Sequence, residues 1–213
     1  MIINIGDREK KFYFPSSILQ ADIHEVVDAF TTAIDAKHPY TRGHSDRVAD
    51  LALAIARRAG FSENFQHFVH IAGHLHDLGK IGVPDAILLK PGALTKEEFD
   101  QIKAHATIGY DILCKVKSWE AIADAVRHHH ERWDGGGYPD GLAGKAIPLV
   151  SRIITVADSY DAMTSSRAYR SSLNRKEALA EICRHSGAQF DPYIVKVFLQ
   201  LPAAVVPEKQ VEE

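Results

Sequence analysis

The chain has 213 residues, 46% of them apolar, a formal charge of -3 and twelve histidines. That is enough apolar material for one sizeable core with a short extension, and the charge balance carries no basic field of the kind that marks a DNA or RNA binder. No apolar run is long enough to cross a membrane, and Met1 to Ile5 is too short, and too soon followed by charge, to read as a signal peptide. Cys114 and Cys183 stand alone, with no CxxC spacing, and read as reduced core thiols. A cytoplasmic protein without membrane insertion is expected.

Taken in chain order, residues 1–20 read as an N-terminal extension or linker remnant. The charge run Arg8-Glu9-Lys10-Lys11 and the aromatic run Phe12-Tyr13-Phe14 fit a frayed terminus or, alternatively, a packing arm. Ile23, Val26, Val27, Phe30 and Ile34 recur at helical spacing, and Val48, Leu51, Ala52 and Ile55 do so in the next segment. Ser62 is placed to cap a helix running through about Leu78. Thr95 to Glu98 forms a capping box ahead of Phe99, Ile102 and Ile108. Asn174 with Glu177 forms a second box, and Asp191-Pro192 is a cap followed by proline at the first helical position. Arg152 to Val156 is β-branched, but the residues after it continue at helical spacing, so it reads as a buried helix. Two loops rich in Gly and Pro interrupt this pattern, Gly79 to Pro91 and Asp134 to Pro148. The fold class is therefore all-α, with a main domain over 21–203 and a polar tail over 204–213.

Across this helical frame run His44, the pair His76-Asp77, His105, the pair His129-His130 and Asp158. Neutral imidazole and carboxylate together suit borderline divalent metals. Seven such groups exceed the needs of one structural zinc site, and point to two metals sharing a bridging carboxylate, an arrangement suited to phosphoester hydrolysis. At about 100° per residue, a helix through this region puts Phe68, Ile71, Leu75 and Leu78 on one side. His76 and Asp77 then lie on the other, with Lys80 between them. Asp158 sits in an apolar stretch, where a carboxylate is costly unless paired or metal-bound. His67, His70 and His74 form a separate stripe that falls away from His76. It reads as a partly exposed polar face, with a second metal site as the lesser alternative. His24, His38, His128 and His185 read as structural or surface residues. No serine or cysteine sits in an elbow or triad setting, and Gly135-Gly136-Gly137 is neither a Walker loop nor a dinucleotide fingerprint.

His76-Asp77 with Gly79-Lys80, then His105, then His129-His130-Glu131-Arg132-Trp133-Asp134-Gly135-Gly136-Gly137-Tyr138-Pro139 resemble the HD-GYP family, a branch of the HD-domain metal-dependent phosphohydrolases. The likeness runs from about Asp22 to Leu201. It implies a helical bundle with a dinuclear metal site in a central cleft, and hydrolysis of cyclic di-GMP to pGpG, GMP or both. It also implies the ligand sets: His44, His76, Asp77 and Asp158 for one ion, and Asp77, His105, His129 and His130 for the other. Asp77 and Lys80 would be the catalytic residues, with Lys80 at the bridging water and a phosphate. Asp161 would support the site, and Arg167 and Arg170 would join Lys80 in contacting substrate phosphates. In the glycine loop, Gly136 and Gly137 are expected to take unusual φ values, Pro139 to stiffen the turn and Tyr138 to pack or hydrogen-bond.

Two departures from the family pattern stand out. Tyr40 occupies the position where some members carry a glutamate for a third metal, and Ala168 replaces a proline frequent after the first arginine. The implied cofactors are two divalent transition-metal ions, iron or manganese ahead of nickel, cobalt or zinc. Two alternatives stay open: another nucleotide substrate such as cyclic GMP-AMP, or a catalytically weak cyclic di-GMP-binding module. A regulatory or sensor domain, a signalling partner and a homodimer are left open as partners.

Overall fold

A computed structural model of the chain describes residues 2–5, 8–11, 23–37, 43–165 and 172–206. Tyr40, Arg167, Ala168, Arg170 and most of the tail over 204–213 lie outside the described residues. Nine α-helices are described: α1 Ile23–Lys37, α2 His44–Arg58, α3 Glu63–Leu75, α4 Asp85–Leu88, α5 Lys96–Leu113, α6 Glu120–Arg127, α7 Leu149–Thr164, α8 Arg175–Arg184 and α9 Pro192–Phe198. The expected all-α class holds for the domain. The terminus differs from the frayed segment expected there: Ile2–Ile5 (β1) pairs antiparallel with Arg8–Lys11 (β2). Among the described residues, no helix is long and apolar enough to cross a membrane.

Helix starts follow their caps. Thr95 Oγ1 accepts from Glu98 N at 3.2 Å while Glu98 Oε2 accepts from Thr95 N at 2.7 Å, so both halves of the capping box are made. Asn174 and Glu177 make the same reciprocal pair at 2.9 and 3.0 Å. Asp191 Oδ1 accepts from Tyr193 N at 2.8 Å, with Pro192 where its missing N–H has no helical partner in any case. Each cap contributes about 1 kcal/mol.

The core forms around α7. Its β-branched run is helical, and Ile153, Ile154, Val156 and Ala157 are buried. Buried on both sides, it packs against α2, α3, α6, α8 and α9, which is why its apolar residues are not confined to one stripe. Helices α2 and α3 pack closely because Gly73 has no side chain: a Cβ there would stand 2.7 Å from Ala49 Cα.

Four expectations are corrected. Helix α3 ends at Leu75, and His76 is its C-cap, so Asp77 and Lys80 belong to a following 3-10 turn, Leu78–Gly82, and its entry. The buried stripe of α3 is Val69, Ala72 and Leu75, with Phe68 and Ile71 only partly covered. Only Val27 and Ile34 of the apolar residues predicted to line α1 are buried; Ile23, Val26 and Phe30 are exposed, as is Phe99 on α5. Neither thiol is in the core, since Cys114 is part-buried and Cys183 exposed.

The 3-10 turn is held against α5 by the absence of a side chain at Gly79, where a Cβ would lie 1.8 Å from His105 O and 2.5 Å from Gly109 N. Lys37 of α1 fixes its other side, donating to Ile81 O at 2.7 Å and Val83 O at 2.9 Å. Gly79→Ala is expected to force the turn off α5 and destabilise the fold by about 1–3 kcal/mol or more, read as a lower midpoint in urea unfolding with an unchanged slope.

Candidate metal centre

The elements deliver their side chains from chain-distant points to one buried place. His44 is the first residue of α2, preceded by Gly43 in the left-handed region at φ 69, whose N–H is accepted by Asp35 Oδ2 at 2.8 Å. His76 caps α3, Asp77 leads into the 3-10 turn, His105 lies within α5, His129 and His130 follow α6, and Asp158 and Asp161 project from α7.

Ligand-type atoms of His44, His76 and Asp77 all lie within 4.8 Å of one another, and so do those of His105, His129 and His130. Asp158 Oδ1 completes the first group, 3.2 Å from His44 Nε2 and 4.0 Å from His76 Nε2. Asp77 joins the two groups. Its Oδ2 stands 3.4 Å from His76 Nε2 and 3.7 Å from His44 Nε2, while its Oδ1 stands 3.7 Å from His105 Nε2. Lys80 Nζ donates to Asp77 Oδ2 at 2.6 Å. All seven residues singled out in the sequence are thus brought together with Lys80. Arg167 and Arg170 fall outside the described residues.

The state of the rings shows what the site is built to accept. His76, His105 and His129 each donate Nδ1–H to the carbonyl three residues back, Gly73 at 2.7 Å, Ile102 at 2.6 Å and Val126 at 2.6 Å. In a neutral ring this leaves Nε2 as a bare lone pair. His105 and His129 point those Nε2 atoms at each other across 3.4 Å, where neither has a proton to offer. His76 Nε2 is buried without a hydrogen-bond partner. Burial, helped by Lys80 at His105 and by neighbouring histidines at His129, holds both rings below the usual imidazole range, and burial with His105 pushes His130 down to about 3. Neutral imidazoles with converging, unshared lone pairs fit divalent cations, and fixing the other nitrogen sets the tautomer for it.

His44 is held differently. Burial disfavours its charge, but hydrogen bonds to Asp158 and Asp161 prevail and push it up to about 9. Its Nδ1 faces Asp161 Oδ2 at 2.6 Å. Arg47 donates to Asp161 through Nε at 2.5 Å and Nη2 at 3.1 Å, and to Ser165 Oγ at 3.1 Å. Burial opposes ionisation of Asp77 and Asp158 too, yet Lys80 and His76 beside Asp77, and His44 beside Asp158, hold both carboxyls far below their usual range.

The glycine loop works by another route than expected. Gly136 and Gly137 do not take positive φ; Gly135 and Gly141 do, at 82° and 69°. Gly137 is required for close approach, since a Cβ would lie 2.4 Å from Arg132 N. Tyr138 packs as expected, its ring stacked on His130 with centroids 4.8 Å apart. Two supports were not singled out in the sequence. One is Arg47, three residues after His44 on α2. The other is Glu131, buried beside the histidine pair, whose Oε1 accepts from Asp140 N at 2.7 Å and Gly141 N at 3.0 Å. Its place directly after His129-His130 was the only available signal.

The fold and the site define a helical domain built around a histidine–carboxylate centre for divalent metal ions. The model of the HD domain family matches residues 28–194. A cyclic di-GMP phosphodiesterase of Thermotoga maritima is 44% identical over 181 residues, 84% of this chain and 49% of that protein. The 3'3'-cGAMP-specific phosphodiesterase 3 of Vibrio cholerae is 42% identical over 167 residues, 78% of this chain and 36% of that protein. A crystal structure of a cyclic GMP-AMP specific phosphodiesterase from V. cholerae matches with a TM-score of 0.63 at 25% identity, covering 83% of this chain and 47% of that one. The chain belongs to the HD-domain family, in its HD-GYP branch. It spans about half or less of the length of these curated relatives.

Glu131→Ala removes both hydrogen bonds that close the loop under His129 and His130. The expected loss is about 1.5–3 kcal/mol, the range for hydrogen bonds to a charged group. Chemical denaturation checks the magnitude, and faster amide exchange at Asp140 and Gly141 checks the location.

Proposed function

We propose that this domain is a metal-dependent phosphodiesterase that hydrolyses cyclic di-GMP to pGpG, GMP or both. The observation that carries the reading is Asp77, which turns one carboxylate oxygen toward each histidine group. In this reading His44, His76, Asp77 and Asp158 would hold one divalent ion, and Asp77, His105, His129 and His130 would hold the other. Iron or manganese suits a set rich in imidazole with shared carboxylate. Bound there, such ions would supply Lewis-acid activation of a water near neutral pH and charge stabilisation at the phosphoryl oxygens.

The chain's own groups do the rest. Lys80 Nζ, tied to Asp77 Oδ2 at 2.6 Å, keeps a positive charge at the junction of the two groups, where an anionic phosphate would lie. Burial of the rings excludes bulk water and strengthens that charge. Arg167 and Arg170 are assigned to the substrate phosphates on their place in the family motif. The names of the relatives support a cyclic dinucleotide substrate. A second reading, cyclic GMP-AMP, is favoured by the V. cholerae enzymes named for it.

The test is anaerobic turnover by protein loaded separately with Fe(II) and Mn(II), offered cyclic di-GMP and 3'3'-cyclic GMP-AMP, with products resolved by chromatography. Metal-dependent release of pGpG or GMP from cyclic di-GMP is expected. Cleavage of only the mixed dinucleotide selects the second reading, and cleavage of neither by fully loaded protein rejects both. Asp77→Ala is expected to abolish turnover and reduce bound metal; normal rates at full occupancy would remove Asp77 from the ligand set.

Lys80→Ala separates charge stabilisation from metal holding. It is expected to retain both ions and lose roughly 10²–10³-fold in kcat, the range for removal of one preorganised electrostatic partner. Unchanged kinetics would rule out its role.

A further inference from the structure

The side of α2 and α3 turned away from Asp77 carries a second group of titratable side chains. Two residues along a helix is about 200°, so Asp46 and His74 point away from their neighbours His44 and His76. A cavity of about 370 Å³ opens there, lined by Asp28 and Asp35 of α1, Asp46 and Asp50 of α2, and His70 and His74 of α3. None of these residues belongs to the centre around Asp77. Among the described residues that line this cavity there is no lysine or arginine.

The aspartates of α2 are four residues apart, and so are the histidines of α3, so each pair projects from one helical face. They meet crosswise, Asp46 Oδ1 at 3.2 Å from His74 Nδ1 and Asp50 Oδ1 at 3.3 Å from His70 Nε2. The close approach of the helices at Gly73 and Ala49 sets the two pairs side by side, with the His70 and His74 ring centroids 4.5 Å apart.

Two buried atoms are left unsatisfied. His74 is 7% exposed, and its Nδ1 has no hydrogen-bond partner, because Asp46 lies near it but off hydrogen-bond geometry. Asp35 Oδ1 is also buried without a partner, although its Oδ2 accepts from Gly43 N. Buried polar atoms rarely stay unpaired without a missing ligand or water.

We propose that this cavity binds one divalent transition-metal cation, held by His70 and His74 from α3 and by Asp46 and Asp50 from α2. Two imidazole nitrogens and two carboxylate oxygens make a four-ligand set of the kind zinc accepts. The side chains of Asp46 and Asp50 are 58% and 78% exposed, so their carboxylates are free to turn onto an ion between the pairs. An ion there would cross-link the two helices that deliver His44 and His76, and would stabilise the folded chain by mass action.

The experiment is metal content of the full chain after equilibration with Zn(II) and removal of unbound ion, followed by Co(II) substitution. The parent is expected to hold one equivalent more than either the His70→Ala/His74→Ala or the Asp46→Asn/Asp50→Asn double variant. The parent's Co(II) form should show a visible absorption band of low-coordinate cobalt that both variants lose. That equivalent should persist in Asp77→Ala, which disturbs only the other centre. The aspartate variant guards against misfolding, since it changes exposed groups without altering their size. Equal zinc in the parent and the aspartate variant would overturn the proposal, and so would loss of every bound ion in Asp77→Ala.

Discussion

The carboxylate of Asp77 is the constraint around which the rest is arranged. It is buried, and a carboxylate taken out of water costs several kcal/mol unless charges and donors surround it. Here it is surrounded by groups from three separate parts of the chain: His44 from the start of α2, Lys80 and His76 on either side of it, and His105 from α5. For these to reach one point, α3 must stop just short of it and the chain must tighten into a 3-10 turn. Asp77 and Lys80 stay paired across that break. A continuous helix would carry the chain past α5, whereas the turn lays Gly79 directly against the His105 carbonyl.

The same local device orients three of the rings. His76, His105 and His129 each give Nδ1–H to the carbonyl three residues earlier. Such a bond needs only helical or near-helical backbone behind the histidine, so each element orients its own ring locally. The Nε2 lone pairs then converge because the elements converge. Neighbours lacking side chains permit this, Gly73 against Ala49 and Gly79 against Gly109. Preorganisation thus comes from short-range bonds, and packing has only to bring the elements into register.

Much of this was legible in the sequence, for physical reasons that can be named. Capping boxes at Thr95 and Asn174 are local, so their chemistry is written in four adjacent residues. Metal-type residues scattered along the chain are improbable unless a fold gathers them, and His44 to Asp158 were gathered as expected. What depended on distance was hidden. Apolar spacing on α1 marks a helix but does not say that Ile23, Val26 and Phe30 lack a neighbour to cover them among the described residues. The helical wheel placed His76, Asp77 and Lys80 in one cleft, and they do share it, but through a broken helix. The glycine run at Gly137 suggests unusual φ, whereas its role is contact with the backbone of Arg132. Sequence records that a side chain is missing there, without saying which of glycine's two properties is used.

His44 shows why such a site also draws in residues that touch no ligand. It is the first residue of α2, and its Nδ1 is not bound to a backbone carbonyl of its own element. Its Nδ1 partner is Asp161 instead, one turn beyond Asp158 on α7. The two aspartates are three apart and lie on one face of α7, so one faces each nitrogen of the same ring. Asp161 is itself held by Arg47 and Ser165. Orientation that costs the other histidines one backbone bond here takes a network spanning α2 and α7, and it couples the placement of His44 to that of Asp158. A shift of α7 relative to α2 would therefore disturb two members of the first group together, while His105 and His129 of the second group, fixed by their own backbone, would stay aimed.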